Sequence, residues 1–141
     1  MSILENLSDK YSIDAFMPAS SEQDIRQLCD KSSVEIPDEY LEVIREKSEI
    51  EICVSGRMYI RIWGADGCIE MNEAYNIQKY LPNSLAFGDD EGGGALIYMS
   101  GKEGFGMYLC RFADLDIDEA IKISPSLREL LVWNVGIDKL V

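Results

Sequence analysis

Asp89, Asp90 and Glu91, followed directly by Gly92, Gly93 and Gly94, are the densest concentration of chemically capable groups in the chain. Carboxylate oxygens are the ligands that Mg²⁺ and Ca²⁺ take, and paired carboxylates act as acid and base in glycoside hydrolysis. Adjacent residues on one turn do not converge on a point. A cation site would therefore need a distant ligand, for which Glu70 and Asp114 are the candidates. Hydrolysis would need an enclosed groove and a fixed carboxyl separation, and no local pattern supplies either. Trp63 and Tyr75 could stack on a sugar, although aromatic residues more often fill a core. The alternatives are a solvated hairpin turn or a turn that presents its charge to a protein partner.

Other apparent motifs fail by position. Asp114-Leu115-Asp116-Ile117-Asp118 starts like an EF-hand loop, but Glu119 replaces the required glycine and Pro125 stands where the bidentate glutamate belongs. Gly101-Lys102 resembles the end of a phosphate loop, yet Glu103 replaces the Ser or Thr and Leu96 replaces the first glycine. Gly104-Phe105-Gly106 begins a dinucleotide fingerprint that Leu109 breaks. The chain has no histidine, which removes Ser-His-Asp and Cys-His catalysis and the commonest transition-metal ligand. Cys29, Cys53, Cys68 and Cys110 form no C-x-x-C pair and read as reduced thiols. No catalytic residue, metal or cofactor is expected, and the enzyme reading survives only as a metal-dependent use of the acidic loop.

The net charge of −13 and the pI near 4.3 set the class of partner. Binding nucleic acid requires clustered Lys and Arg to displace counterions from phosphate, so no nucleic-acid partner is expected. A basic protein is favoured, because opposite fields steer encounter and suppress wrong partners.

The elements that must position the acidic loop can be read from periodicity. Leu85-Ala86-Phe87 and Ala95–Met99 are apolar runs of strand length, and the spacing predicts strand, loop over 88–94, strand. Ile50, Ile52 and Val54, then Met58, Ile60 and Ile62, alternate around Ser55-Gly56-Arg57 and predict a hairpin. Further strands are expected at 107–110 and 121–123, with an irregular acidic stretch over 114–120 between them. Ser20 or Ser21 caps an amphipathic helix ending near Lys31, and Pro37 starts a second helix over 37–47. Gly64–Gly67 ends a strand, 69–80 is helical, and Ser124-Pro125 opens a final helix that Gly136 stops. Residues 1–19 are expected to form an arm or short helix. The expectation is one α+β domain over 1–141, with a mainly antiparallel sheet flanked by helices. No apolar run approaches the ~20 residues needed to cross a bilayer, and the first residues lack a signal-peptide pattern, so a cytoplasmic protein is expected.

The order of these pieces resembles the SUKH superfamily, which contains Smi–Knr type cell-wall regulators and bacterial immunity proteins. Ile36-Pro37-Asp38-Glu39-Tyr40-Leu41 is similar to its LP-x-x-Y helix start. Ile62-Trp63, Ile69-Glu70, Asn72 and Tyr75 resemble its following segment, and Phe87–Gly94 resembles its G-x-D-x-G-G signature. Ser124–Leu131 resembles its closing helix. One departure is Lys47-Ser48-Glu49-Ile50, where many members carry Asn-Gly. The resemblance implies a curved sheet flanked by helices and no catalytic activity. It also implies a cytoplasmic immunity protein that neutralises a toxin, often a nuclease, or a regulatory scaffold in glucan synthesis; the absence of long disordered flanks favours the first. The expected partner contacts are Asp89, Asp90, Glu91, Glu70, Asn72, Trp63 and Tyr75.

Overall fold

The computed structural model describes residues 2–141, and among these seven strands form one sheet in the order of the sequence. They are β1 Tyr11–Pro18, β2 Lys47–Val54, β3 Met58–Ile62, β4 Ser84–Asp89, β5 Gly94–Gly101, β6 Gly104–Arg111 and β7 Ile121–Ser124. All six neighbouring pairs are antiparallel, and β1 and β7 are the edges. Five α-helices accompany the sheet: α1 Glu22–Lys31, α2 Asp38–Ile44, α3 Ala65–Ala74, α4 Ile77–Tyr80 and α5 Leu127–Trp133. This is the α+β antiparallel architecture that the periodicity implied.

The β2–β3 hairpin forms where expected. Ser55 (φ 53°) and Gly56 (φ 65°) are both left-handed, and Arg57 N–H donates to Val54 O at 3.0 Å. Two left-handed central residues give the turn whose twist matches that of the flanking strands. Ile50, Ile52, Val54, Ile60 and Ile62 enter the core from this hairpin, all fully buried.

Several boundaries differ from the sequence reading. Tyr11–Pro18 is an edge strand rather than an arm or helix. Its exposed half, Asp14–Pro18, carries no apolar alternation, and two register shifts interrupt its pairing with β2. Bulges of this kind twist an edge and blunt it against pairing with other chains. α2 stops at Ile44 because β2 begins at Lys47, paired with Pro18. Gly64–Gly67 is not a strand-ending turn: Gly64 is the N-cap and α3 starts at Ala65. The expected single helix over 69–80 breaks at Asn76, whose left-handed φ of 52° separates α3 from α4.

The last helix is capped by Ser126, not Ser124. Ser126 Oγ accepts from Glu129 N–H at 3.1 Å and donates to Glu129 Oε2 at 2.8 Å. Ser124 closes β7 instead, and the left-handed stop is Asn134 (φ 61°), two residues before Gly136. Glu39 of α2 also serves this helix start, since its carboxylate accepts from Leu127 N–H at 2.6 Å and Arg128 N–H at 3.1 Å. A carboxylate at a helix N-terminus satisfies orphan N–H groups and meets the positive end of the dipole.

Candidate functional site

β3 and β4 share only two rungs, Arg61↔Asp89 and Ile62↔Gly88. Gly88 lies within the strand rather than in a loop, and a Cβ there would meet Arg61 O at 2.3 Å. The acidic turn is accordingly shorter than the sequence suggested, with β4 running through Asp89 and β5 starting at Gly94. After Ile62 the chain leaves the sheet at Trp63-Gly64 and enters α3. Gly64 passes so close to β2 that a Cβ would lie 2.6 Å from Ser48 Cβ.

That departure would strip β4 of a neighbour, and Asn72 takes its place. Its Nδ2 donates to Ala86 O at 2.7 Å and its Oδ1 accepts from Ala86 N–H at 3.0 Å. Nδ2 also donates to Cys68 O at 2.7 Å, and Oδ1 also accepts from Gln78 Nε2 at 2.8 Å. Buried backbone groups need partners, and one amide side chain here mimics a strand rung. From α2, Tyr40 is fully buried and donates its hydroxyl to Trp63 O at 2.6 Å. The tyrosine of the Pro-started helix thus holds the first residue after β3.

The divergence of β3 and α3 opens a cleft of about 740 Å³. Six carboxylate residues line it, namely Asp24, Glu49, Asp66, Glu70, Asp89 and Glu91, with Arg61 as the one cationic lining residue. Trp63 forms a wall, 2% exposed, and donates its indole N–H to Asp89 Oδ2 at 2.8 Å. Glu49 adopts a left-handed φ of 44°, and its Oε2 accepts from Gly64 N–H at 2.7 Å, at the start of α3. Burial raises its pKa above the ordinary carboxylate value, partly offset by that hydrogen bond and by Arg61. Arg61 Nη2 lies 3.2 Å from Glu51 and 3.9 Å from Glu91. Glu91 is raised too, first by desolvation and then by its neighbour Glu51. Asp66 and Glu70 are exposed and make no ion pair among the described residues.

Of the residues singled out by sequence, the fold brings Asp89, Glu91, Glu70 and Trp63 to this cleft. Asp90 is spent on its own turn, with Oδ1 accepting from Gly92 N–H at 2.9 Å and Gly94 N–H at 2.8 Å, and it lines a separate hollow with Leu109 and Arg111. Asn72 is buried against β4. Tyr75 lies outside the cleft with its ring centroid 4.2 Å from that of Phe112. The sequence reading missed Asp24, Glu49, Asp66, Arg61 and Phe112. Asp66 lay in a segment read as a turn, and the alternation of β2 hid the left-handed kink at Glu49.

Among the described residues no three of the Cys, Asp and Glu side chains converge as a metal site. No described helix is long and apolar enough to cross a membrane. What the cleft offers is a concentrated negative field over a half-apolar floor; low-dielectric walls focus such fields. Compared with known proteins, the chain matches no curated protein sequence. Residues 19–133, which span every wall of the cleft except Met17, match the model of the SMI1 / KNR4 family (SUKH-1). The chain belongs to that family.

Proposed function

We propose that this protein binds and neutralises a basic, nuclease-type toxin in the cytoplasm, with the acidic cleft seated on the toxin's phosphate-binding surface. The observation that carries this reading is the composition of the cleft wall, six carboxylates against one arginine, within a chain of net charge −13. A nuclease must be cationic where it holds phosphate, so an acidic concave surface fits it by sign and occludes the reactive groove. Membership of the SMI1 / KNR4 family supports a protein-binding role. Asp66 and Glu70, exposed and without an ion pair among the described residues, are available to a partner without first breaking one.

The test is titration of the protein against a basic nuclease-type toxin domain, sought first in a neighbouring gene, at low and at high salt, with growth rescue in cells expressing that domain. Tight binding that weakens steeply with salt, and rescue lost in the Asp66→Lys, Glu70→Lys double variant, are expected. Absence of binding at low salt, or rescue untouched by the double variant, would overturn the reading.

A further inference from the structure

One face of α3 joins the acidic cleft to a second surface. Asp66 and Glu70 line the cleft, and Ala74, four residues further, lines a hollow of about 420 Å³ with Tyr75, Tyr80, Phe112 and Asp114. Residues at this spacing lie on one helix face, so the two surfaces are consecutive along it.

A row of rings makes the same connection. Trp63, in the cleft wall, is stacked on Phe112 with centroids 6.4 Å apart, and Phe112 in turn contacts Tyr75 at 4.2 Å. Trp63 is buried and Phe112 half-buried, whereas Tyr75 at the end of the row is 42% exposed. The hollow therefore brings a partly exposed aromatic ring and the acidic residue Asp114 into one lining. An aromatic face attracts cations through its quadrupole, and a carboxylate alongside adds charge to the same preference. The hollow already shows this chemistry once, because Lys79 Nζ sits 5.5 Å from the centroid of Tyr80. No cation lies over Tyr75 among the described residues.

We infer that this hollow is the docking site for an arginine side chain of the basic partner, its guanidinium stacked on Tyr75 and its charge met by Asp114. The assignment rests on the protein-binding reading above and gives it a specific anchor. Arginine fits better than lysine because a guanidinium is planar and weakly hydrated and extends a stack of rings, while an ammonium is a strongly hydrated point charge. The chain's net charge of −13 favours a cationic occupant over a nucleotide. A neutral sugar would use the ring but gain nothing from that field.

The experiment compares two capped hexapeptides of equal charge, one with two arginines and one with two lysines, by NMR titration of the backbone amides. The arginine peptide should shift the amides of 74–76 and 113–115 and bind about fivefold more tightly than the lysine peptide. Tyr75→Leu, which keeps an apolar side chain, should abolish that preference; Asp114→Asn should weaken both peptides. Equal binding of the two peptides, shifts confined to cleft residues such as Asp66 and Glu70, or shifts at Tyr75 from a glucan hexasaccharide but not from the arginine peptide would each overturn the assignment. If the toxin domain is neutralised normally while Tyr75→Leu has no effect on its binding, the immunity reading stands and this anchor falls.

Discussion

The indole N–H of Trp63 donates to Asp89 Oδ2 at 2.8 Å, reaching back across the only two rungs that join β3 to β4. The other oxygen of that carboxylate accepts from Glu91 N–H at 2.9 Å. One acidic side chain therefore fixes a wall of the cleft and the entry to the acidic turn together. Trp63→Phe removes the donor together with part of a buried ring, so the lost bond sets a lower bound on the destabilisation. Hydrogen bonds to charged groups are worth roughly 1.5–3 kcal/mol, so a loss of about 2 kcal/mol or more in urea unfolding is expected. An unchanged midpoint would show that the bond contributes nothing to the joint.

The glycines of the signature are not equivalent. At Gly88 an added Cβ would strike a backbone oxygen at 2.3 Å, and neither strand can move without breaking the two-rung joint. At Gly92 the nearest atom would be Asp90 Oδ1 at 3.6 Å, ordinary contact. Gly88→Ala should destabilise by about 2 kcal/mol or more and Gly92→Ala by under about 0.5 kcal/mol, the range of neutral surface changes. Equal midpoints for the two variants would refute the close-approach account of the signature.

Asn72 offers the sharpest contrast between a site residue and a structural one. Asn72→Leu would fill similar space but leave Ala86 N–H without its side-chain partner and Ala86 C=O with only the weak thiol donor Cys68 Sγ at 3.1 Å. An unsatisfied buried polar group costs roughly 1–3 kcal/mol, so about 2 kcal/mol is expected, with the cleft's binding properties unchanged at temperatures where the variant is folded. A variant that stayed fully stable but lost partner binding would move Asn72 from scaffold to interface.

These contrasts show what periodicity could and could not reveal. The β2–β3 hairpin and the two strands around the acidic turn were legible because alternation and turn chemistry agree locally. β1 was not, because an edge strand with Asp14–Pro18 exposed buries too little to impose a period. The kink at Asn76 and the stop at Asn134 were missed because asparagine, unlike glycine, does not announce a left-handed residue, although it tolerates one. Of the cleft, Asp89, Glu91, Glu70 and Trp63 were visible as types. Glu49 and Asp66 join them only through the turn of chain at Gly64, a tertiary fact with no counterpart in spacing.

The raised carboxyls at Glu49 and Glu91 make a pH prediction whose sign is opposite to that of acid denaturation. Both are held above the ordinary value chiefly by desolvation, so the folded protein keeps these protons more tightly than the unfolded chain. Stability from such groups is fully present below the unfolded value and is lost as pH rises through the folded one. The window runs upward from the ordinary carboxylate value of 4.5. Self-repulsion in a chain of net charge −13 acts in the same direction, whereas Glu22, lowered by its hydrogen bond to Arg45, acts in the opposite one but is fully exposed. The melting temperature should therefore be higher near about pH 5 than near pH 7. Glu49→Gln with Glu91→Gln should raise it at neutral pH and flatten the slope, since a glutamine oxygen can still accept from Gly64 N–H. Salt separates the two causes, because it screens the long-range repulsion far better than the local desolvation. A wild-type slope that vanished at high salt and was unchanged in the double variant would assign the whole effect to net charge, leaving Glu49 and Glu91 no part in it.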